Sequence, residues 1–130
     1  MREILFRGKI VENGEWAYGA YYGLCRITNK AGDFGYAHLM RQSNDEPLYR
    51  VDPETVGQYT GLTDKNGKRI FEGDILSDGG DTYKVMFEEG VFQIENSHYT
   101  TGLYVAVHID KIDEVIGNIY DNPELLEAKE

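Results

Sequence analysis

Four carboxylates lie close together in the middle of the chain: Glu72, Asp74, Asp78 and Asp81. Divalent cations such as Mg²⁺ and Ca²⁺ prefer carboxylate oxygens, so such a group could hold a metal ion and support a hydrolase or nuclease. The spacing is not that of an EF-hand loop, however, and Asp-Gly-Gly-Asp at residues 78–81 is typical of a surface turn. We therefore expect turn residues here and predict no metal site and no cofactor.

Nucleophilic catalysis would need a nucleophile beside a base. The chain has three histidines, His38, His98 and His108, and one cysteine, Cys25. None of the histidines stands at a recognisable metal-ligand spacing, and Cys25 between apolar neighbours is typical of a small half-buried residue. We predict no catalytic residue, and these patterns favour a protein that is not an enzyme without deciding the question.

The balance of charge bears on the class of partner. The chain carries 23 Asp and Glu against 13 Lys and Arg, a formal net charge of −10. Proteins that bind nucleic acids usually neutralise phosphates with clustered cations, and the densest basic group here is only Lys65, Lys68 and Arg69. The charge argues against a nucleic-acid partner, unless three more arginines share one face with that group: Arg2, Arg7 and Arg41.

Aromatic side chains offer a second way to bind. Trp16, Tyr59 and Tyr104 could stack on bases if they were exposed, although such residues in an acidic β protein are more often half-buried in strands. The residues that we name as interaction candidates are Trp16, Tyr59, Lys65, Lys68 and Asp74.

The elements that must position these residues begin with a hairpin. Residues 2–7 alternate between two faces, and Asn13-Gly14 is a strong turn signal, so a hairpin is predicted over residues 3–22. Residues 25–50 are harder to interpret. Loops are expected there at residues 29–33 and 42–47, and short strands at residues 34–38 and 48–51.

A single helical turn is expected next, over residues 52–55, with Pro53 at its first position. Asn66-Gly67 then predicts a type I′ hairpin turn, because Asn and Gly best tolerate the positive φ that both central residues need. Residues 71–76 follow as a tight polar corner that leads into a buried strand.

Alternating patterns predict the remaining strands. They are residues 82–87, with Tyr83, Val85 and Phe87 on one face; residues 91–95, with Phe92 and Ile94 inward; residues 103–109, with Leu103, Val105, Val107 and Ile109 on one face; and residues 114–120, bulged or bent at Gly117. Asn122 is the expected N-cap of a short C-terminal helix, with Pro123 at the first helical position.

Short strands with frequent turn signals, and no alternation with long helices, predict an all-β, mainly antiparallel fold. We expect a small SH3-like barrel in the C-terminal half, residues 51–130, with the short helix at its end. Residues 1–50 are expected to form an N-terminal β-hairpin region packed with that barrel. Nothing in the pattern decides whether residues 25–50 form a separate module.

Three segments together resemble the YopX family of small phage and prophage proteins, mostly from Gram-positive bacteria. They are VDPETVGQYTGLTDKNGKRIFEGDIL at residues 51–76, EVIGNIYDNPELL at residues 114–126 and FRGKIVENGEWAYG at residues 6–19. The resemblance implies an all-β protein with a small barrel in its C-terminal half, and it supplies no catalytic residues. The matching positions are Gly57, Gly61, Asn66, Gly67, Gly73, Asp74, Gly117, Asn118 and Pro123, all of which turn or cap chemistry explains.

These observations predict that the protein is an interaction module of phage or prophage type. Edge strands invite pairing with another copy, so we expect a homo-oligomer or a protein partner. The alternatives are a nucleic-acid-associated factor in phage replication or host takeover, and a metal-dependent hydrolase or nuclease that uses Asp74 and its neighbours. The lack of a signal-peptide core or an apolar membrane span, and a single cysteine, lead us to expect a protein of the bacterial cytoplasm with no membrane partner.

Overall fold

The computed structural model describes residues 4–126. Within that range the chain forms eleven strands, all paired antiparallel, with one short α-helix and two single-turn 3-10 helices. The predicted all-β, mainly antiparallel class is confirmed. The chain divides into two compact units, of which the first ends at Gln58 and the second begins at Tyr59.

The first unit is a sheet in the order β4-β3-β2-β1, to which the start of β5 adds beside β1. Its elements are β1 (Phe6–Lys9), β2 (Trp16–Thr28), β3 (Phe34–Arg41), β4 (Tyr49–Arg50), the 3-10 turn Pro53–Thr55 and the first residues of β5 (Gly57–Thr63). The predicted hairpin is confirmed by pairing from Phe6↔Gly19 to Lys9↔Trp16, although β2 continues beyond its expected end. Residue 3, the expected start of that hairpin, lies outside the described residues.

Residues 25–50, which precede the 3-10 turn, follow the predicted order of loops and strands. The loops at residues 29–33 and 42–47 are present, and the two short strands are β3 and β4. The single helical turn is also confirmed, since the Asp52 carboxylate accepts a hydrogen bond from the backbone N–H of Glu54 and Pro53 stands at the first position.

The second unit contains a β5–β6 pair and an open five-stranded sheet in the order β10-β9-β8-β7-β11. Its further elements are β6 (Arg69–Phe71), β7 (Asp74–Ser77), β8 (Thr82–Glu88), β9 (Val91–Glu95), β10 (Thr100–Gly102), α1 (Leu103–His108), β11 (Glu114–Asn118) and the 3-10 turn Pro123–Leu125. In the described residues β10 and β11 do not pair with each other, so the barrel-like region is a sheet that does not close. The predicted bulge near Gly117 is confirmed, since the register of β11 shifts between Val115 and Gly117.

The two Asn-Gly turns form where predicted, but the type I′ conformation predicted for Asn66-Gly67 is wrong. Only the glycines have positive φ, 74° at Gly14 and 82° at Gly67. Around Gly67 the Asp64 carboxylate accepts hydrogen bonds from the backbone N–H groups of Asn66 and Lys68. This side chain stabilises a longer loop in which Asn66 keeps a negative φ.

The predicted strand over residues 103–109 is also wrong, because Leu103–His108 is the helix α1. Leu103, Ala106 and Val107 are the buried residues of α1, at the i, i+3, i+4 spacing of one helical face. Val105 and Ile109, which were expected inside, are exposed. Burial of that helical face in the core outweighs the strand preference of its β-branched residues.

The C-terminal helix start is corrected in detail. Asn122 precedes the 3-10 turn, but its side chain makes no capping hydrogen bond to it. Its Oδ1 accepts a hydrogen bond from the backbone N–H of Asn118 instead, which ties the turn back to the end of β11. Residues 127–130, where a longer helix would continue, lie outside the described residues.

The core of the second unit is one apolar cluster between the open sheet and α1. It includes Tyr83 and Val85 from β8 and Ile94 from β9, as the alternation predicted, with Phe92 partly buried against it. Phe87, expected on the same face, is 47% exposed and lies beside the turn of the β8–β9 hairpin, where it pairs with Phe92.

Candidate protein-interaction site

The central carboxylates have separate structural roles. Asp74 is buried and accepts a 2.8 Å hydrogen bond from the backbone N–H of Phe71, which fixes the corner between β6 and β7. Asp78 accepts hydrogen bonds from the backbone N–H groups of Gly80 and Asp81, and the Gly80 bond is the main cause that lowers the pKa of Asp78. Across residues 4–126, no three His, Cys, Asp or Glu side chains are placed to hold a metal ion.

A further carboxylate, which the sequence reasoning missed, organises the hairpin turn. Asp64 is buried, and it accepts hydrogen bonds from the backbone N–H groups of Asn66 and Lys68 at 2.8 Å and of Val115 at 3.1 Å. Burial raises the pKa of Asp64, but the three backbone donors outweigh burial, so the pKa lies below its ordinary value. An Asp two residues before Asn-Gly is the signal that could have revealed this role.

The two candidate lysines of this turn differ in their contacts. Lys65 Nζ lies 3.7 Å from the Glu114 carboxylate in an exposed ion pair, whereas Lys68 donates its backbone N–H to Asp64. The pair with Glu114 offsets part of the positive charge that a phosphate would need. Of the arginines that would have to join this group, Arg2 lies outside the described residues.

The candidate aromatics are packed against neighbours. Trp16 is half-buried, with the Arg7 guanidinium 4.7 Å and the Lys9 ammonium 5.5 Å from its ring centre. Tyr59 is buried with its ring 5.6 Å from that of Phe71. These contacts occupy the ring faces or bury the rings, which leaves little surface for a stacked base.

His38 and Cys25 make hydrogen bonds within the β2–β3 pair. The Tyr21 hydroxyl and His38 Nδ1 share a 2.6 Å hydrogen bond, and burial raises the pKa of Tyr21. Cys25 Sγ donates to the backbone carbonyl of Gly23 at 3.5 Å. Cys25 stands opposite Ala37 in the register, so its side chain points to the other face of the ribbon from that of His38.

A polar groove of about 360 Å³ lies beside β8 and β9 in the second unit. Lys84 and Glu95, which line the groove, form an ion pair at 3.6 Å, and Asn96 donates to the carbonyl of Thr82. These polar groups satisfy one another, so the groove does not point to a particular ligand.

The first unit extends a two-stranded ribbon, residues 20–41 of β2 and β3 with their loop, which we call the arm. β1 pairs with β2 only as far as Gly19, and β4 pairs with β3 only at Leu39 and Met40. Apart from these pairs and the hydrogen bond that the carbonyl of His38 accepts from the backbone N–H of Val51, no described strand pairs with either long edge of the arm. A long edge of this kind is a template for pairing with another chain.

One side of the arm, which we call the aromatic face, consists of Leu24, Arg26, Phe34 and Tyr36. Leu24, Phe34 and Tyr36 are 63%, 57% and 61% exposed. The Arg26 guanidinium lies 4.2 Å from the Phe34 ring centre, and the Phe34 and Tyr36 rings meet edge to face at 6.1 Å. The register, in which Arg26 opposes Tyr36, brings these side chains to the same face.

The arm is also cationic within an acidic chain. Residues 20–41 hold Arg26, Lys30 and Arg41 against Asp33, a net charge of +2 where the whole chain has −10. The sequence reasoning treated this segment as a loop with a short strand and named none of the aromatic face as a candidate. Adjacent apolar and cationic side chains on the two sides of the predicted loop at residues 29–33 are the signal that could have drawn attention to it.

The described part of the chain contains no helix long and apolar enough to cross a membrane.

The chain is similar to known proteins in sequence and in fold. A family model described as "YopX protein" matches residues 5–127. The "SPbeta prophage-derived uncharacterized protein YopX" of Bacillus subtilis (strain 168) is 27% identical over an alignment of 116 positions, which covers 74% of this chain and 86% of that protein.

Two crystal structures show a similar arrangement. Protein EF1440 from Enterococcus faecalis matches over 98% of this chain and all of that one, with a TM-score of 0.57 and 23% identity. Protein yopX from Bacillus subtilis matches over the full length of both chains, with a TM-score of 0.53 and 26% identity.

Proposed function

The chain belongs to the YopX family, and on that premise we propose that it is a prophage-type interaction module without enzymatic activity, which assembles with further copies of itself through the arm. A relative described as prophage-derived supports the proposed origin. The aromatic face is the observation that carries the proposed function.

The aromatic face has the composition of a contact surface. Aromatic residues and Arg are enriched where proteins meet, and exposed apolar groups beside one another mark such places more strongly than single exposed residues do. Burial of a side chain the size of Leu or Phe is worth about 1.5–3 kcal/mol. Leu24, Phe34 and Tyr36 together could therefore contribute a large part of the energy of a micromolar contact.

The oligomer test is the mass in solution at micromolar concentration, by light scattering coupled to size exclusion. We expect the wild-type protein to be larger than its 14.8 kDa monomer. The double variant Leu24→Ser/Phe34→Ser should fall to the monomer mass with unchanged circular dichroism, because both side chains are exposed. Val11→Ser is the matched control, since Val11 is similarly exposed but lies outside the arm.

A clean wild-type monomer would refute self-assembly. An assembly that tolerates the double variant would refute the role of the arm, and an equal effect of Val11→Ser would show that any apolar exposure drives association.

A second candidate function is the binding of single-stranded nucleic acid by the same arm. Its support is that Phe34 and Tyr36 are exposed beside Arg26, since aromatic stacking with cationic contacts is how such proteins hold single strands. Fluorescence anisotropy with a labelled oligonucleotide, at low and at moderate salt, tests this candidate. Affinity that falls with salt in the wild type and is lost in Phe34→Ser would support it, whereas no binding at low salt would exclude it.

A further inference from the structure

The second unit carries an apolar surface of its own, on the outer side of α1. This helix buries Leu103, Ala106 and Val107. Tyr104 and Val105 on its outer side are 65% and 39% exposed, and Ile109 at its C-cap is 68% exposed. His108, whose ring centre lies 4.2 Å from that of Tyr104, is the one polar side chain of α1 on this side. The outward side of a surface helix is normally more polar than this, so the composition needs an explanation.

A carboxylate is held in place beside these side chains. Asp110 follows Ile109, and its backbone N–H donates to the carbonyl of Val105 at 3.0 Å. The Tyr99 hydroxyl donates to Asp110 Oδ2 at 2.8 Å, which orients the carboxylate and raises the pKa of Tyr99. We call Tyr104, Val105, Ile109 and Asp110 the α1 patch.

The charges of the two units favour a contact between unlike surfaces. Residues 59–130 hold six Lys and Arg against fifteen Asp and Glu, a net −9, whereas the arm has a net charge of +2. Two arms that meet each other bring like charges together, and so do two second units. An arm that meets the second unit of another copy brings opposite charges together, which favours that encounter.

We propose that the aromatic face of one copy docks on the α1 patch of a second copy, with the Arg26 guanidinium facing the Asp110 carboxylate. Phe34 and Tyr36 supply the apolar contact with Tyr104 and Ile109. This inference rests on the proposed self-assembly and specifies its geometry. Because the two surfaces differ, the contact is head-to-tail, so copies form a closed ring or a filament rather than a two-fold dimer.

Complementing variants test this geometry. The arm variant is Leu24→Ser/Phe34→Ser, and the patch variant is Tyr104→Ser/Ile109→Ser. Each has lost one of the two surfaces, so each alone should be a monomer. An equimolar mixture should form a heterodimer of twice 14.8 kDa and nothing larger, because one intact arm and one intact patch remain between the two chains.

The outcomes separate this inference from the proposed function. A wild-type monomer refutes both. A wild-type assembly that the patch variant retains, with a mixture that yields no heterodimer, refutes only the head-to-tail geometry and indicates arm-to-arm contact. Phe87→Ser is the control in the second unit, since Phe87 is an exposed aromatic outside the patch and its loss should leave the assembly unchanged.

A charge exchange gives a second readout that does not depend on apolar truncation. Arg26→Asp and Asp110→Arg should each weaken the assembly by about tenfold or more, as loss of a charged interface partner does. The double variant should recover most of that loss. If the double variant loses as much affinity as the two single variants lose together, the two side chains do not meet and the proposed pairing is wrong.

Discussion

The core cluster of the second unit and the arm of the first place their large apolar side chains in opposite ways. The core cluster of the second unit buries its side chains completely at several positions, among them Ile70, Leu76 and Ile94 at 0% exposure. In the first unit, the arm leaves Leu24, Phe34 and Tyr36 exposed to solvent. The charge differs as well, since residues 1–58 have a net charge of −1 and residues 59–130 a net charge of −9.

This contrast indicates a division of labour within one chain. The core cluster of the second unit contributes packing that stabilises the folded state. The arm holds apolar surface that the described residues of the same chain leave uncovered. A side chain of the same type should therefore matter for stability in the core cluster and for association on the arm.

The largest expected effect compares two leucines. Leu76→Ala in the core should lower the free energy of unfolding by about 2–5 kcal/mol, because it removes buried methyl groups and leaves a cavity. Leu24→Ala on the arm should change it by less than about 0.5 kcal/mol in the monomer, as surface substitutions usually do. Urea denaturation at low protein concentration measures both. Similar losses at the two sites would contradict the division of labour.

The sequence predicts those elements whose cause is a pattern of neighbouring residues, and it fails where contacts between distant residues decide. The strands at residues 82–87 and 91–95 were predictable because each alternates and their turn is short. The α1 helix was not, because Leu103, Val105, Val107 and Ile109 fit a strand as well as a helix, and only the shape of the core decides. The arm escaped notice for a different reason: its exposure depends on where β1 and β4 stop pairing, which no local pattern encodes.

The candidate residues show the same limit. Asp74 was recognised as a corner residue, since an Asp after a Gly turn signals that role by itself. Asp64 was overlooked because one of its partners, the backbone N–H of Val115, is distant in sequence. Its importance became visible only when β11 was placed beside the hairpin turn.

Replacement of a buried carboxylate should lower the free energy of unfolding more than replacement of an exposed one. Asp64 Oδ1 accepts from the backbone N–H groups of Asn66 and Lys68, and Oδ2 accepts from that of Val115. Asp64→Asn turns one of these two acceptors into an NH₂ donor that faces an N–H group, so it should cost about 1–3 kcal/mol of unfolding free energy. Asp45→Asn, in an exposed loop of the first unit, is the matched control and should be neutral.

The same variant gives a pH dependence with a defined sign. The folded-state pKa of Asp64 is lowered, so its contribution is present above the unfolded-state pKa of about 3.9 and is lost as the pH falls through the folded-state value. The wild type should therefore lose more stability below about pH 4 than Asp64→Asn does. Thermal unfolding from pH 7 to pH 3 measures this, and parallel curves would show that Asp64 is not held as the carboxylate.

The smallest expected effect compares the two turns that the sequence marked alike. Gly14 in the first unit and Gly67 in the second both have positive φ and open space around the position of a Cβ atom. An alanine at either site should lower the free energy of unfolding by about 1 kcal/mol, because it must adopt the left-handed conformation. No neighbouring atom would clash with its Cβ, so this backbone strain is the whole expected cost. Equal losses by urea denaturation would show that the cost of the turn is local and independent of the surrounding unit. A larger loss for Gly67→Ala would show instead that the Asp64 hydrogen bonds couple this turn to β11, so that the second unit responds as a whole where the first responds locally.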